Sequence, residues 1–205
     1  MHFKFFTTTY IVRLITFVHV GVRANVQKFL SLIVPLTYYP EFLTATILRW
    51  QHLLKDKACK QIVIDSLQWL VTSKKCKVYA FVIMPNHIHL MWKILDGFTR
   101  QEVQGAFFSF TAHEFKKHLK ENNTKILTAY FVSDSDRMYQ FWERDSLVKE
   151  CFTPRFIEQK IEYIHQNPCK PHWNLANLPE EYKWSSAAFY FKGDNEFAWL
   201  SHINE

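Results

Sequence analysis

Along the chain the apolar positions change rhythm several times, and each change marks an element. Phe42–Leu48 reads FLTATIL, a run of β-formers that predicts a strand. Over Asp56–Thr72 the residues Ile62, Val63, Leu67, Leu70 and Val71 gather with Ser66 on one side of a helix. Val78–Met84 is almost unbroken apolar sequence, which predicts a central strand. Pro85-Asn86 then signals a turn, and His87–Ile94 is the strand after it. Arg100–Lys120 predicts a long helix, with Val103, Phe107, Phe108, Phe110 and Phe115 at helical spacing. Residues 122–138 are polar and read as a loop; Tyr139–Glu143 and Leu147–Glu150 read as short strands. Thr153-Pro154 opens a last helix, with threonine as N-cap and proline at the first helical position. It runs to Asn167, where Pro168 stops it and pushes the preceding residue away from the α region. The order strand, helix, strand, strand, helix, strands, helix predicts an α+β fold with a largely antiparallel sheet.

The first forty residues follow no such rhythm. They are apolar and aromatic, interrupted by Arg13 and Arg23, and their longest charge-free stretch is Phe29 to Pro40. That is shorter than the ~18–20 residues a membrane helix needs. Leu14–Val22 imitates the core of a secretory leader, yet no small-residue cleavage site follows it. We expect residues 1–40 to be an apolar basic extension outside the fold and 41–205 to form one domain. No membrane partner is expected, and the location expected is the cytoplasm.

Composition adds limits rather than detail. With 48% hydrophobic and 21% charged residues, the chain is globular, and 4 Gly and 7 Pro exclude collagen and flexible low-complexity material. The net charge of +6 points to nucleic acid until it is located: the acid-free first forty residues hold Lys4, Arg13, Arg23 and Lys28 and supply most of it. Cys59, Cys76, Cys151 and Cys169 show no disulfide framework, and their spacing is not that of a zinc site.

Two clusters carry chemistry. His87-Ile88-His89 lies within a predicted strand, so both histidines and Met91 share one face while Ile88, Leu90 and Trp92 share the other. Two imidazoles so placed can hold one divalent metal; alone, the pattern fits a pair of hydrogen-bonded core histidines better. In the last helix Gln159, Tyr163 and Asn167 form one stripe, opposite Ile157, Ile161 and Ile164. A phenol with an ordinary pKa of about 10 is a poor nucleophile at neutral pH. A cation that polarises a phosphate would remedy that, and a covalent phosphotyrosine would conserve the phosphodiester for rejoining.

Taken together, VYAFVIMPNHIHLMW, then YIHQNP, then LPEEYKWSSAAFY resemble the REP-associated tyrosine transposases, single-tyrosine HUH transposases of the insertion-sequence type. The resemblance runs from about Phe42 to the C-terminus and includes FLTATILRWQHLL, QFWERD and EFAWL. After Pro168 this chain continues Cys169-Lys170-Pro171-His172-Trp173, where relatives usually have a small residue and a glycine. The resemblance implies a ferredoxin-like α+β domain. It also implies cleavage and rejoining of single-stranded DNA beside hairpins, leaving a 5′-phosphotyrosine and a free 3′-OH. Mg²⁺ or Mn²⁺ is the implied cofactor, with no nucleotide cofactor. Position by position it assigns His87 and His89 to the metal, Tyr163 to the nucleophile and Asn167 to the carboxamide that completes the metal site; the push of Pro168 on Asn167 makes Gln166 and Glu162 rival ligands. The protein is expected to act as a monomer or homodimer. Alternative readings are a metal-dependent endonuclease without a covalent intermediate, or a catalytically silent hairpin binder. Arg100, Lys116, Lys117, Lys120, Arg137, Arg144 and Lys149 are candidate phosphate contacts, and Trp50, Trp142, Trp173 and Trp184 candidate platforms for unpaired bases.

Overall fold

The pleat of a single strand divides this molecule. A computed structural model describes residues 39–133 and 138–205, so the expected extension, apart from Tyr39 and Pro40, and Arg137 lie outside the described residues. Four strands, β1 (Glu41–Thr46), β2 (Cys76–Ile83), β3 (His87–Ile94) and β4 (Leu147–Glu150), form one sheet in the order β2-β3-β1-β4. Every neighbouring pair is antiparallel. Between and after them come α1 (Lys57–Thr72), α2 (Arg100–Asn122), α3 (Thr124–Thr128), α4 (Pro154–Gln166) and α5 (Ala187–Lys192). This is the expected α+β architecture.

Strand β3 is paired along both edges, and both of its faces are covered as well. Ile88, Leu90 and Trp92 join Leu43 and Ala45 of β1 against Val63, Leu67 and Leu70 of α1 and Val103, Phe107 and Phe115 of α2. Burying a side chain of this size contributes roughly 1.5–3 kcal/mol, so this layer is the main source of stability. The other face carries Phe42, Val82 and Met91 against Ile161 and Ile164 of α4. Antiparallel pairing sets Thr44 opposite His89 and Thr46 opposite His87.

The helices start where their caps allow. Asp56 accepts a hydrogen bond from Ala58 N at the head of α1, and Thr99 forms a capping box with Glu102 at the head of α2. Thr153 accepts from Phe156 N, with Pro154 next, at the head of α4.

Three expectations need correction. The stretch 122–138 is not all loop: Asn123 caps the five-residue α3, too short to show a period. Tyr139–Glu143 is not a strand; its β-pairing is limited to isolated bridges, Phe131 to Tyr139 and Ile47 to Trp142. Asn167 is not displaced by Pro168, because its φ of −57° and ψ of −45° continue the helix into a 3₁₀ turn over Asn167–Cys169.

After α4 the chain returns to cover the open edge of β2. Ile83 N donates to the Trp184 carbonyl, Ser186 N to the Phe81 carbonyl and Ser201 N to the Val78 carbonyl. The hydroxyls of Tyr182 and Tyr190 donate to the carbonyls of Ile83 and Tyr79. An edge so occupied cannot template pairing with another chain. Buried Lys60 of α1 reaches the same segment, donating to the Tyr182 hydroxyl at 2.9 Å.

Candidate active site

The Pro85-Asn86 turn aims His87 into the second layer. Asn86 is buried, and its Oδ1 lies 2.7 Å from His87 Nδ1. An amide oxygen only accepts, so Nδ1 carries the proton and the Nε2 lone pair is left available. His89 Nδ1 lies 2.8 Å from Thr44 Oγ1 across the β1–β3 ladder. His89 Nε2 is buried and has no hydrogen-bond partner. A buried polar nitrogen without a partner is costly unless something else satisfies it, and imidazoles oriented through their other nitrogen are the usual arrangement of metal ligands. Two neutral imidazoles whose ring centroids are 4.7 Å apart, one of them with an unpartnered Nε2, fit a divalent cation.

Burial also sets the protonation. The His87 imidazole is pushed down to about 4 by burial, helped by the positive charge of Lys170 and by His172. His89 is pushed down to about 2 by burial, then by His87, Lys170 and Lys160. Both are neutral at physiological pH, the state in which imidazole binds metal.

Tyr163 stands over this pair. Its ring centroid is 5.0 Å from that of His89 and 6.0 Å from that of Phe42, both edge-on, and the side chain is half-exposed. Lys170 Nζ lies 3.8 Å from the Tyr163 ring centroid and Lys160 Nζ 5.6 Å from it. Asn167, one turn after Tyr163, is buried, whereas Glu162 and Gln166 are exposed. Of the three rival carboxyl and carboxamide groups, Asn167 is thus the buried one.

Helix α4 is fixed to the sheet from behind. His165 Nε2 is 2.9 Å from Ser186 Oγ, and Ser186 Oγ accepts from Phe81 N at 2.9 Å. Two of the sequence motifs, YIHQNP and WSSAAFY, therefore meet at one hydrogen bond.

At the mouth of the site the backbone is strained. Arg49 and Trp50 both have positive φ, 54° and 56°, a conformation that costs of order 1–3 kcal/mol each for such residues. Arg49 N donates to Glu143 Oε1 at 2.7 Å and its Nη1 to the Ala129 carbonyl at 3.1 Å. Asn86 Nδ2 donates weakly to the Trp50 carbonyl at 3.5 Å.

The expected DNA contacts divide by layer. Lys149 faces the same side as Phe42, its partner across the β1–β4 ladder, and is exposed. Lys116, Lys117 and Lys120 are exposed on α2, and Arg144 is exposed after the β-bridge at Trp142, all outside the layer that holds Tyr163. Arg100 is engaged within the protein: its guanidinium makes 2.6 Å ion pairs to fully buried Glu41 and to Glu150. The expectation that Arg100 is a phosphate contact therefore meets a guanidinium already committed to two carboxylates. Arg137 lies outside the described residues.

Sequence reasoning missed Thr44, Asn86, Lys160 and Lys170. Thr44 was hidden because register between strands is not written in either one; Asn86 and Lys170 sit one and three residues from named ligands and were readable as their flanks. It also dismissed the cysteines as ligands from spacing alone. Cys59 does approach Asp56 and His118, the ligand-capable atoms of the three lying within 4.8 Å of one another. This group lies on the α1–α2 side of the sheet, where Asp56 Oδ2 and His118 Nε2 pair at 2.7 Å. Burial and the Asp56 charge push the Cys59 thiol up to about 12, so it is protonated there.

A sequence profile of the family described as "Transposase IS200 like" matches residues 38–167, the span from the start of β1 to Asn167. No curated protein matches the chain. Among solved structures, that of a REP-associated tyrosine transposase bound to a REP hairpin is similar, with a TM-score of 0.57, 15% identity, and 82% of this chain and 86% of that chain covered. A candidate transposase from Deinococcus radiodurans R1 aligns with a TM-score of 0.41 and 14% identity over 61% of this chain and 87% of that one. The first of these likenesses carries the fold.

Proposed function

Because the chain belongs to the IS200-like transposase family, we propose that it cleaves and rejoins single-stranded DNA beside hairpins through a phosphotyrosine on Tyr163. The observation that carries this reading is the buried, unpartnered His89 Nε2 beneath the Tyr163 ring.

His87, His89 and Asn167 would hold Mg²⁺ or Mn²⁺, a mixed set of imidazole nitrogens and a carboxamide oxygen. When bound, the cation supplies charge to the non-bridging oxygens of the scissile phosphate. Asn86 and Thr44 hold the two imidazoles with Nε2 turned inward. The Tyr163 phenol attacks phosphorus, the bond to the 3′ oxygen breaks, and the phenolic proton leaves while the 3′ oxygen gains one. The 5′-phosphate is then esterified to Tyr163, and attack by a 3′-OH reverses the step without ATP. Lys170 and Lys160 place positive charge beside the phenol, which favours both the approach of phosphate and the developing phenolate. The His165–Ser186 contact keeps α4 against the sheet, so the nucleophile's distance from the histidines is set before DNA arrives. The hairpin held by the similar REP-associated transposase supports a hairpin-bearing substrate. Lys149 is the phosphate contact on the face of the site, with Lys116, Lys117, Lys120 and Arg144 meeting more distant phosphates. Among the described residues no helix is long and apolar enough to cross a membrane.

Denaturing gels with end-labelled hairpin DNA test the reading. A metal-dependent covalent adduct is expected from the unaltered protein and none from Tyr163→Phe, which still binds DNA. Cleavage that survives Tyr163→Phe would replace the proposal with a hydrolytic endonuclease. DNA binding by the unaltered protein without metal-dependent cleavage would replace it with a silent hairpin binder.

A further inference from the structure

The structure sorts the tryptophans that the sequence left undifferentiated. Trp142 is buried among Phe107, Phe108 and Phe115 and donates its indole N–H to Thr111 at 2.9 Å. Trp184 packs against both core clusters and lies under Lys60. Trp142 is thus a core residue, and Trp184 is half-buried between the two clusters, away from the histidines. Trp50 and Trp173 differ, because both approach His87: their ring centroids lie 6.5 Å and 5.7 Å from it. Trp50 is 64% exposed, and Trp173 is half-buried, between His87 and His52.

An exposed tryptophan gains nothing from its own position, yet Trp50 is held there in a left-handed conformation that an indole side chain disfavours. The neighbouring hydrogen bonds of Arg49, and the Asn86 amide shared between the Trp50 carbonyl and His87, fix the indole beside the histidine. Strain retained next to reacting groups is a mark of function. The chemistry the position suits is that of an unpaired base: flat apolar faces beside His87, with the Lys170 ammonium over the neighbouring Tyr163 ring to meet a phosphate.

We propose that Trp50 and Trp173 form a stacking slot for the unpaired bases that flank the scissile phosphate. This rests on the reading of Tyr163 and the histidines as the site of strand cleavage. Stacking holds the strand by its bases while lysines meet its phosphates, so the backbone is drawn taut across Tyr163. Recognition of this kind tolerates any base, and leaves the choice of hairpin to contacts elsewhere.

The test compares two single-stranded probes of equal charge, an oligothymidylate of about 16 nucleotides and a wholly abasic strand of the same length. Affinities are measured in the full chain carrying Tyr163→Phe, so the result is independent of whether a covalent adduct ever forms. The expected preference for oligothymidylate is about 5- to 150-fold for each stacked base, the equivalent of ~1–3 kcal/mol. Trp50→Ala and Trp173→Ala should each reduce that preference while leaving affinity for the abasic strand unchanged, and Trp50→Phe should restore most of it. Equal affinity for the two probes in the parent chain would overturn the proposal. So would a preference that persists undiminished in the Trp50→Ala, Trp173→Ala double variant. A failure of the gel assay with a positive result here would leave a base-stacking DNA binder, so the two readings fail separately.

Discussion

The two faces of the central sheet use the same strand for opposite ends. Toward α1 and α2, β3 presents Ile88, Leu90 and Trp92, fully buried in an aromatic and aliphatic layer. Toward α4 it presents His87, His89 and Met91, also buried, with His89 Nε2 left without a hydrogen-bond partner, as Trp92 Nε1 is on the other face. Burial is thus no guide to which face carries the chemistry. The difference lies in the chemistry of those groups: an indole N–H can only donate, whereas a neutral imidazole nitrogen can offer a lone pair, and of the two faces of β3 it is the α4 side that sets two imidazoles side by side.

Adjacent substitutions in β3 expose that contrast most strongly. His89→Ala should lower cleavage by at least ~10²–10³-fold, as expected for loss of charge stabilisation at a reacting phosphate. Leu90→Ala should instead cost about 2–5 kcal/mol of stability, seen as a fall in Tm, with the folded fraction still cleaving. Selective loss of activity in Leu90→Ala, without destabilisation, would erase the division between the faces.

A smaller effect sharpens the role of the α2 side. Arg100→Ala strands the fully buried Glu41 carboxylate, so we expect a loss of roughly 3 kcal/mol, the lower end for a broken buried pair because Arg100 is partly exposed. The slope of log affinity for DNA against log salt should not change. A slope reduced by about 1 would place the guanidinium on a phosphate instead.

Acid should act mainly through the α4 side. Burial holds His165 down at about 4, alongside His87 at about 4 and His89 at about 2. Between these values and the ordinary 6.5 the unfolded chain binds protons that the native one refuses. Stability is therefore full above about pH 6.5 and falls as the pH drops toward 4, by up to ~1.4 kcal/mol per pH unit for each histidine. Chemical denaturation of the metal-free protein from pH 7 to 4.5 reads this, and His165→Gln should flatten the dependence. A stability that rose on acidification would contradict the burial of all three rings.

Much of this was legible in the sequence because the periods are strong. The alternation in β3 placed both histidines on one face, as the structure has them, and the i to i+4 spacing of Tyr163 and Asn167 is kept because Asn167 retains helical φ and ψ. The long helices, β3 and the antiparallel plan followed from the same arithmetic. What escaped was set by tertiary contact. The partner of His89 is Thr44, forty-five positions away, chosen by register across the β1–β3 ladder. Asn167 stays helical although the next residue is proline, because the chain tightens into a 3₁₀ turn rather than leaving the helix. The strand expected at Tyr139–Glu143 failed because its aromatic residues pack as a plug, with Phe141 against Tyr130 and Phe115 and Trp142 against α2, rather than pairing in a ladder.

The hydrogen bond between His165 and Ser186 also joins parts of the chain that are made at different times. A nascent chain that has reached Asn167 already contains both histidines, the tyrosine and the carboxamide, the whole span matched by the family. It lacks Ser186 to anchor α4, and Tyr182, Trp184 and Tyr190 to close the edge of β2. The last tenth of the polypeptide therefore adds the Ser186 anchor to a helix that Ile161 and Ile164 already pack onto the sheet, and we expect a product stopped before it to hold Tyr163 less firmly against His89.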